Sequence, residues 1–360
     1  MKILIVGEWS SQLHEEQLCS ALKNLGCYVG AFKWYNYYDS SSLVKKYWNK
    51  IERRYQFGIS ISNINKDLLS LLSAETFDVI FFYRPTHIKL ETITFIKKNY
   101  LNTVLIGYNN DNPFSEQNEK YLFRRFLKIA PFFHIMLSFR PSDIKKYQNI
   151  GCEKVYLFPP WFDSKIFNNH NSLSYKENKR YTYDVVFIGH YENDSRLEYL
   201  EAAHMLGFKV GIFGPYDMRN SGWKKPLSKS ILKKHIQKTK YLTLHEYAKV
   251  LSESRIALCF LSKRNKDVYT TRCFEIPATQ TFLFSEYSKE LGEYFDEGVE
   301  ADFFRNKEEF IQKLNYYKNN LSLVETIAGK GFQKVTNTGF DSISRANDLL
   351  KIIENYYHIK

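Results

Sequence analysis

Cysteine is scarce: Cys19, Cys27, Cys152, Cys259 and Cys273 are the five in 360 residues. The count is odd, the spacing is wide and no CxxC occurs, which argues against a disulfide framework or a structural zinc site. Reduced, mostly buried thiols in a cytoplasmic protein are the expectation. Long apolar runs are also missing. A membrane-spanning helix needs about 20 consecutive apolar residues, whereas runs such as Val79–Tyr83 and Val185–Ile188 are only strand-length. Met1-Lys2 is followed by Ile3–Val6 alone before Gly7 and Glu8, too short for the hydrophobic core of a signal peptide. GxGxxG, the P-loop and HExxH are absent, as is any local Ser-His-Asp or Cys-His context for hydrolysis.

What is present suits a folded protein. Hydrophobic residues make up 44 %, aromatic 17 % and charged 25 % of the chain. At about 150 residues per domain, this length predicts two domains, each able to bury its own core. Lys plus Arg exceed Asp plus Glu by 51 to 39, a net charge of +12. That balance is compatible with phosphate-bearing ligands, anionic membranes and nucleic acid alike.

Short apolar strands alternate with helical spacing. Strands are expected at Ile3–Val6, Tyr28–Phe32, Asp78–Tyr83, Thr103–Tyr108 and Ile135–Leu137, and helices at His14–Leu25, Asp67–Leu72 and Lys89–Lys98. After a polar stretch the pattern restarts. Strands are expected at Tyr183–Gly189, Lys209–Phe213, Ile256–Leu261 and Thr281–Phe284. Helices are expected at Asp194–Leu206, Leu244–Ser252, Cys273–Ala278, Glu308–Asn319 and Ile343–Tyr357. Unalternating apolar strands imply parallel sheets covered on both faces, hence an α/β chain of two doubly wound Rossmann-like domains with a cleft between them. The expected division is a first domain over 1–163, a linker over 164–182, a second domain over 183–340 and a C-terminal helix over 341–360 crossing back to the first. In such sheets ligands bind beyond the carboxyl ends of the strands.

The most informative stretch is Asp267–Phe284, DVYTTRCFEIPATQTFLF. Thr270 and Thr271 are placed to cap a helix starting near Arg272. Its exposed amides and the guanidinium would make an anion site suited to a diphosphate. Glu275, one turn in, is placed to accept two hydroxyls of a ribose. The plainer alternative is a surface Arg/Glu pair.

The run Arg272–Glu275 (RCFE), with Ile276–Phe284 and Tyr287–Val299 (YSKELGEYFDEGV), resembles the C-terminal signature of CgeB-like, spore-maturation type glycosyltransferases. It is distantly similar to the family four retaining glycosyltransferases. Tyr183–Gly189, Glu246–Phe260 and the Tyr108–Phe114 segment resemble further parts of these enzymes. The resemblance implies a GT-B fold, with a nucleotide-sugar donor on the second domain and the acceptor on the first. It assigns Glu275 to the ribose and Arg272 to the diphosphate. Asp267 stands where family four carries its first Glu, one methylene shorter. Retention of anomeric configuration is part of what the likeness implies.

Other residues follow from position. Gly189 and His190 end the first strand of the second domain, with Arg196 further on and Gly214 after the next strand; all four are expected near the donor phosphates, sugar or base. In the first domain Gly7, in Gly7-Glu8-Trp9, is expected to face those phosphates. Arg84, His87 and Asp111 are expected on the acceptor side, with Asp111, His87 and Asp267 as the catalytic set. Asp111 is flanked by Asn110 and Asn112, so no metal-binding DxD is formed; no metal and no cofactor beyond the donor is expected. Two stretches read as membrane candidates. One is Arg219–Lys240, with eight basic residues and no acidic one; the other is the aromatic-rich Tyr121–Met136. Each has a bland alternative, a solvated face or a core helix.

The expected function is transfer of a sugar from a nucleotide donor to an acceptor hydroxyl, in cell-surface glycan or glycoconjugate synthesis. The acceptor is a glycan, a lipid-linked glycan or a protein, and no nucleic-acid partner is expected. The rivals are a nucleotide-sugar epimerase on the same fold and a non-catalytic basic protein that binds polyanions.

Overall fold

The computed structural model describes all residues except 11–12, 119, 169–180, 219–220, 235, 238–241 and 360. Most of the expected linker, and Arg219, Lys238 and Lys240 of the basic stretch, therefore lie outside the described residues. The chain divides into two units, Met1–Pro160 with Ser342–Lys360, and Trp161–Asp341.

The first unit is a six-stranded parallel sheet in the order β2-β1-β3-β4-β5-β6. Its strands are β1 Lys2–Gly7, β2 Tyr28–Lys33, β3 Val79–Tyr83, β4 Val104–Asn109, β5 Ile135–Ser138 and β6 Val155–Leu157. All five residues of β3 are buried, as a strand covered on both faces requires. The register sets Ile3 against Val29 on one side and Val79 on the other. The helix Glu15–Asn24 follows β1, and the C-terminal helix Ser342–Ile359 packs against it. Tyr357 Oη donates to the Asp78 carbonyl at 3.1 Å.

The second unit is again a six-stranded parallel sheet, in the order β12-β11-β10-β7-β8-β9. Its strands are β7 Tyr183–Ile188, β8 Val210–Phe213, β9 Ile236–Gln237, β10 Ser254–Cys259, β11 Phe282–Glu286 and β12 Asp302–Phe304. Stacked aromatics fill the core: Phe284 packs on Phe310 with ring centroids 5.4 Å apart and on Phe304 at 5.0 Å. Removing one such ring costs about 3–5 kcal/mol.

Strand order reverses between β1 and β3 in the first unit, and between β7 and β10 in the second. These are the topological switch points where open α/β sheets bind ligands.

Of the two membrane candidates from the sequence, the aromatic-rich one packs inward, while the basic one buries apolar residues and keeps Lys224, Lys225, Lys229, Lys233 and Lys234 exposed. In the helix Lys120–Ile129, Phe126 and Ile129 are fully buried, so this segment is a core helix. In the basic stretch, Trp223 is 0 % exposed and Leu227 and Leu232 are buried, so its apolar side chains anchor the second unit's own core.

Candidate active site

In the second unit, Arg272 opens the helix Arg272–Ala278 beyond the carboxyl end of β10. Its Nη1 donates to the Ile188 carbonyl, at the end of β7, at 3.1 Å. The guanidinium thus spans the switch point. Its Nε is buried and has no hydrogen-bond partner among the described residues. A Cβ on Gly189 would lie 2.7 Å from Nη1. Gly214 follows β8, where a Cβ would come within 2.2 Å of the Gly189 carbonyl oxygen. That oxygen accepts from Trp223 Nε1 at 2.8 Å. Both glycines are required by close packing of protein against protein.

The helix start differs from the sequence expectation. Thr271 makes no side-chain cap. The amides of Cys273, Phe274 and Glu275 donate to the Thr270 and Thr271 carbonyls at 3.0–3.1 Å, so they are not open to an anion. Thr270 Oγ1 instead lies 3.6 Å from the Cys259 thiol, which is itself 3.6 Å from Cys273 Sγ. All five cysteines are free thiols. What remains of the predicted anion site is the guanidinium.

Glu275 is 3 % exposed, and its Oε2 accepts from the Tyr247 hydroxyl at 2.9 Å. Burial raises its carboxyl to about 7, against the opposing pull of Tyr247 and Arg272. The surface Arg/Glu pair is therefore not what forms.

His190 is half-exposed, with Nε2 3.1 Å from Glu192 Oε1. Arg196, expected to add charge for a phosphate, is spent internally. Its side chain is 2 % exposed and forks onto Asp194 at 2.8 and 2.7 Å. Its Nη1 donates to the His190 carbonyl at 2.8 Å. Arg196 thus fixes the loop after β7 rather than facing a ligand. Glu192, missed in the sequence, accepts from Ser262 Oγ at 3.1 Å and ties that loop to the one after β10. Burial would raise its carboxyl, but His190, Arg196 and Ser262 together hold it at about 2. Asp267 is half-buried, its amide donating to the Ser262 carbonyl at 3.0 Å.

In the first unit, Arg84 and Asp111 meet beyond the ends of β3 and β4. Arg84 Nη2 lies 2.6 Å from Asp111 Oδ2, and its Nη1 lies 3.5 Å from Glu8 Oε2. Arg84 takes a left-handed conformation at φ +47°, rare for a residue with a side chain and typical of strained functional loops. Gly7 leaves room for Glu15: a Cβ there would fall 2.6 Å from Glu15 Oε1, which accepts from the Trp9 amide at 3.0 Å. Burial, then Arg84, lowers His14 to about 4, so its imidazole is neutral near pH 7.

His87 is the clearest departure. It is 3 % exposed and stacks on Trp34 at 4.1 Å. Burial pushes its imidazole down to about 3. A neutral, enclosed ring among aromatics is core packing, with Nδ1 2.9 Å from the Thr86 hydroxyl. Among the described residues no cluster of three or more His, Cys, Asp or Glu could hold a metal ion, and no helix is long and apolar enough to cross a membrane.

Comparison with known proteins bears on both units. Residues 196–351 match the family model described as glycosyl transferase-like. No curated protein matches the chain by sequence. The chain is similar in structure to the sucrose-phosphate synthase of Thermosynechococcus elongatus, at TM-score 0.73 and 10 % identity, with 100 % of both chains covered. It is also similar to the Anabaena protein HepE in complex with UDP and glucose, at TM-score 0.65 and 10 % identity, covering 99 % of this chain and 100 % of that one. A glycosyltransferase from Rickettsia africae gives TM-score 0.64 and 13 % identity, with 99 % and 98 % covered. This chain therefore has the GT-B fold, two α/β units with six-stranded parallel sheets, and residues 196–351 within it match the glycosyl transferase-like family model.

Proposed function

We propose that this protein transfers a sugar from a nucleotide-sugar donor to an acceptor hydroxyl. The observation that carries the reading is Arg272: a guanidinium at the second unit's switch point with a buried, unpartnered Nε. The glycosyl transferase-like match over 196–351 supports it, and the UDP and glucose bound by HepE make UDP the first nucleotide to test.

In this reading Arg272 faces the diphosphate. As the glycosidic bond breaks, the leaving nucleoside diphosphate gains negative charge, and a fixed guanidinium stabilises it without a metal. Gly189 and Gly214 let backbone and guanidinium pack closely beneath the phosphates. His190 and Asp267 lie toward the sugar. In the first unit Asp111, oriented by Arg84, serves the acceptor hydroxyl, which belongs to a glycan, a lipid-linked glycan or a protein. The CgeB-like subtype, retention of configuration and a cytoplasmic location belong to the same proposal.

Glu275 carries two readings, because its carboxylate is covered. Either it reaches the ribose, or it only steadies Arg272. The variant Glu275→Gln separates them. Loss of UDP binding with pyrophosphate binding kept indicates the ribose; loss of both indicates Arg272.

The test is thermal unfolding against UDP, GDP, ADP, TDP and CMP, for the native chain and Arg272→Ala. A ligand at 100 times its Kd stabilises by about 2.7 kcal/mol. One nucleotide shifting the native chain and not the variant supports the proposal. Interconversion of the donor's sugar without acceptor would make the protein an epimerase. Steeply salt-dependent polyanion binding without any nucleotide response would leave the binding-protein alternative.

A further inference from the structure

The helix Leu43–Tyr55 in the first unit is turned inside out. At helical spacing, Leu43, Val44, Tyr47, Trp48 and Tyr55 share one broad face. That face points to solvent: Leu43 is 82 % exposed, Val44 81 %, Tyr47 71 % and Trp48 52 %. Phe57 and Ile59, just beyond the helix, extend it at 43 % and 74 %.

The polar residues are what anchor this helix. Asn49 and Glu52 are buried. Asn49 Nδ2 donates to the Tyr38 carbonyl at 2.9 Å. Glu52 Oε2 accepts from Ser60 Oγ at 2.6 Å, and its Oε1 accepts from Trp48 Nε1 at 3.1 Å. Gly58 is required here, since a Cβ would fall 2.1 Å from Glu52 Oε1. The orientation is thus locked by specific bonds, and the apolar face is held outward at the cost of its exposure.

Basic residues rim the same face. Lys46 and Lys50 flank one side and Lys45 the other, all exposed; Arg54 is turned onto the Tyr121 hydroxyl, its Nε donating at 2.8 Å, and the acidic residue of the helix, Glu52, is buried. An apolar, aromatic stripe bordered by lysines matches the interface of an anionic bilayer: rings and aliphatic chains enter the headgroup boundary, and ammonium groups stay at phosphate level. A second copy of the chain fits less well, because a two-fold contact would set the basic rims against each other.

We infer that the helix Leu43–Tyr55, with Phe57 and Ile59, docks this protein on an anionic phospholipid surface. The inference rests on this helix alone and stands whatever reaction the protein performs.

The test is sedimentation of the full chain with vesicles of phosphatidylcholine alone and of phosphatidylcholine with phosphatidylglycerol at about 7:3, a choice made for its charge. Binding is expected only to the anionic vesicles, weakening in high salt. Each Lys near such a surface is worth about five-fold in partitioning, so Lys45→Glu/Lys46→Glu/Lys50→Glu should abolish binding. Leu43→Ser/Val44→Ser/Tyr47→Ser, at exposed positions, should weaken it at least about ten-fold while leaving the melting temperature unchanged. Equal binding by the serine variant overturns the inference, as does equal binding to both vesicle types. A dimer in solution that the serine variant dissolves also overturns it, making the occupant a second copy.

Discussion

The Arg272 guanidinium rests on the end of β7, its Nη1 bonded to the Ile188 carbonyl, in space that only a glycine at 189 leaves open. Gly189→Ala would set its Cβ 2.7 Å from the Arg272 guanidinium and 2.8 Å from the ring of the buried Phe187, so Arg272 should be displaced and the melting temperature lowered while the chain still folds. Isothermal titration is expected to show UDP affinity lower by about ten-fold, one charge-assisted hydrogen bond's worth. Unchanged affinity would detach Arg272 from the phosphates.

Gly214→Ala makes the contrasting case. Its Cβ would meet the Gly189 carbonyl, a backbone atom that cannot swing away. Overpacking of this kind costs about 1–3 kcal/mol, which should appear as a lower midpoint in urea. A midpoint equal to the native one would show that the loop after β8 yields easily.

Direct replacement of Arg272 should separate phosphate from base. Arg272→Ala is expected to lose about 1.5–3 kcal/mol of UDP binding, roughly 10- to 100-fold in Kd. Uridine, which lacks phosphates, should bind the variant and the native chain alike. Equal losses for both ligands would mean that the variant has damaged the unit.

Glu275 should make stability depend on pH. Its carboxyl is raised by burial from 4.5 to about 7 in the folded protein. The folded state then binds the extra proton, so this contribution is fully present below about 4.5 and is lost as pH rises through about 7. The span corresponds to about 3 kcal/mol. Glu275→Gln, neutral throughout, should gain stability relative to the native chain between pH 5 and pH 8. Parallel melting curves across that range would refute it.

Asp111 should divide activity from stability. The Arg84–Asp111 pair is partly exposed, at 33 % and 27 %, and such pairs contribute at most about 1 kcal/mol. Asp111→Asn is expected to leave the melting temperature nearly unchanged while sugar transfer falls by at least about a hundred-fold, the scale of general-base loss. Transfer at the native rate would remove Asp111 from the chemistry.

Where chemistry is local, the sequence is a good guide. The all-apolar run in β3 announces a doubly covered strand, and the helix Leu244–Ser252 has the bounds its spacing implies. Arg272 is legible because its motif is contiguous. Three-residue β12 is too short to show a period, and the 17-residue helix Leu321–Asn337 is obscured by Gly329 and Gly331, which read as breakers. Arg196 reads as a free cation because nothing in the sequence says that Asp194 neutralises it. Tyr247 reaches Glu275 across 28 residues, a contact that only the folded chain creates. The helix Leu43–Tyr55 inverts the usual rule, since the two residues it buries, Asn49 and Glu52, are polar while its apolar face is exposed.

The helix Ser342–Ile359 belongs to the first unit although the whole second unit precedes it in the sequence. On a ribosome adding about 5–20 residues per second, the first sheet waits on the order of ten seconds or more for this last piece. Until then the surface that buries Leu349 and Ile353 stays open to water, while the second unit, being continuous, is free to complete itself. The order of completion thus reverses the order of synthesis, and the nascent first unit is the stage at which this protein would most need a chaperone.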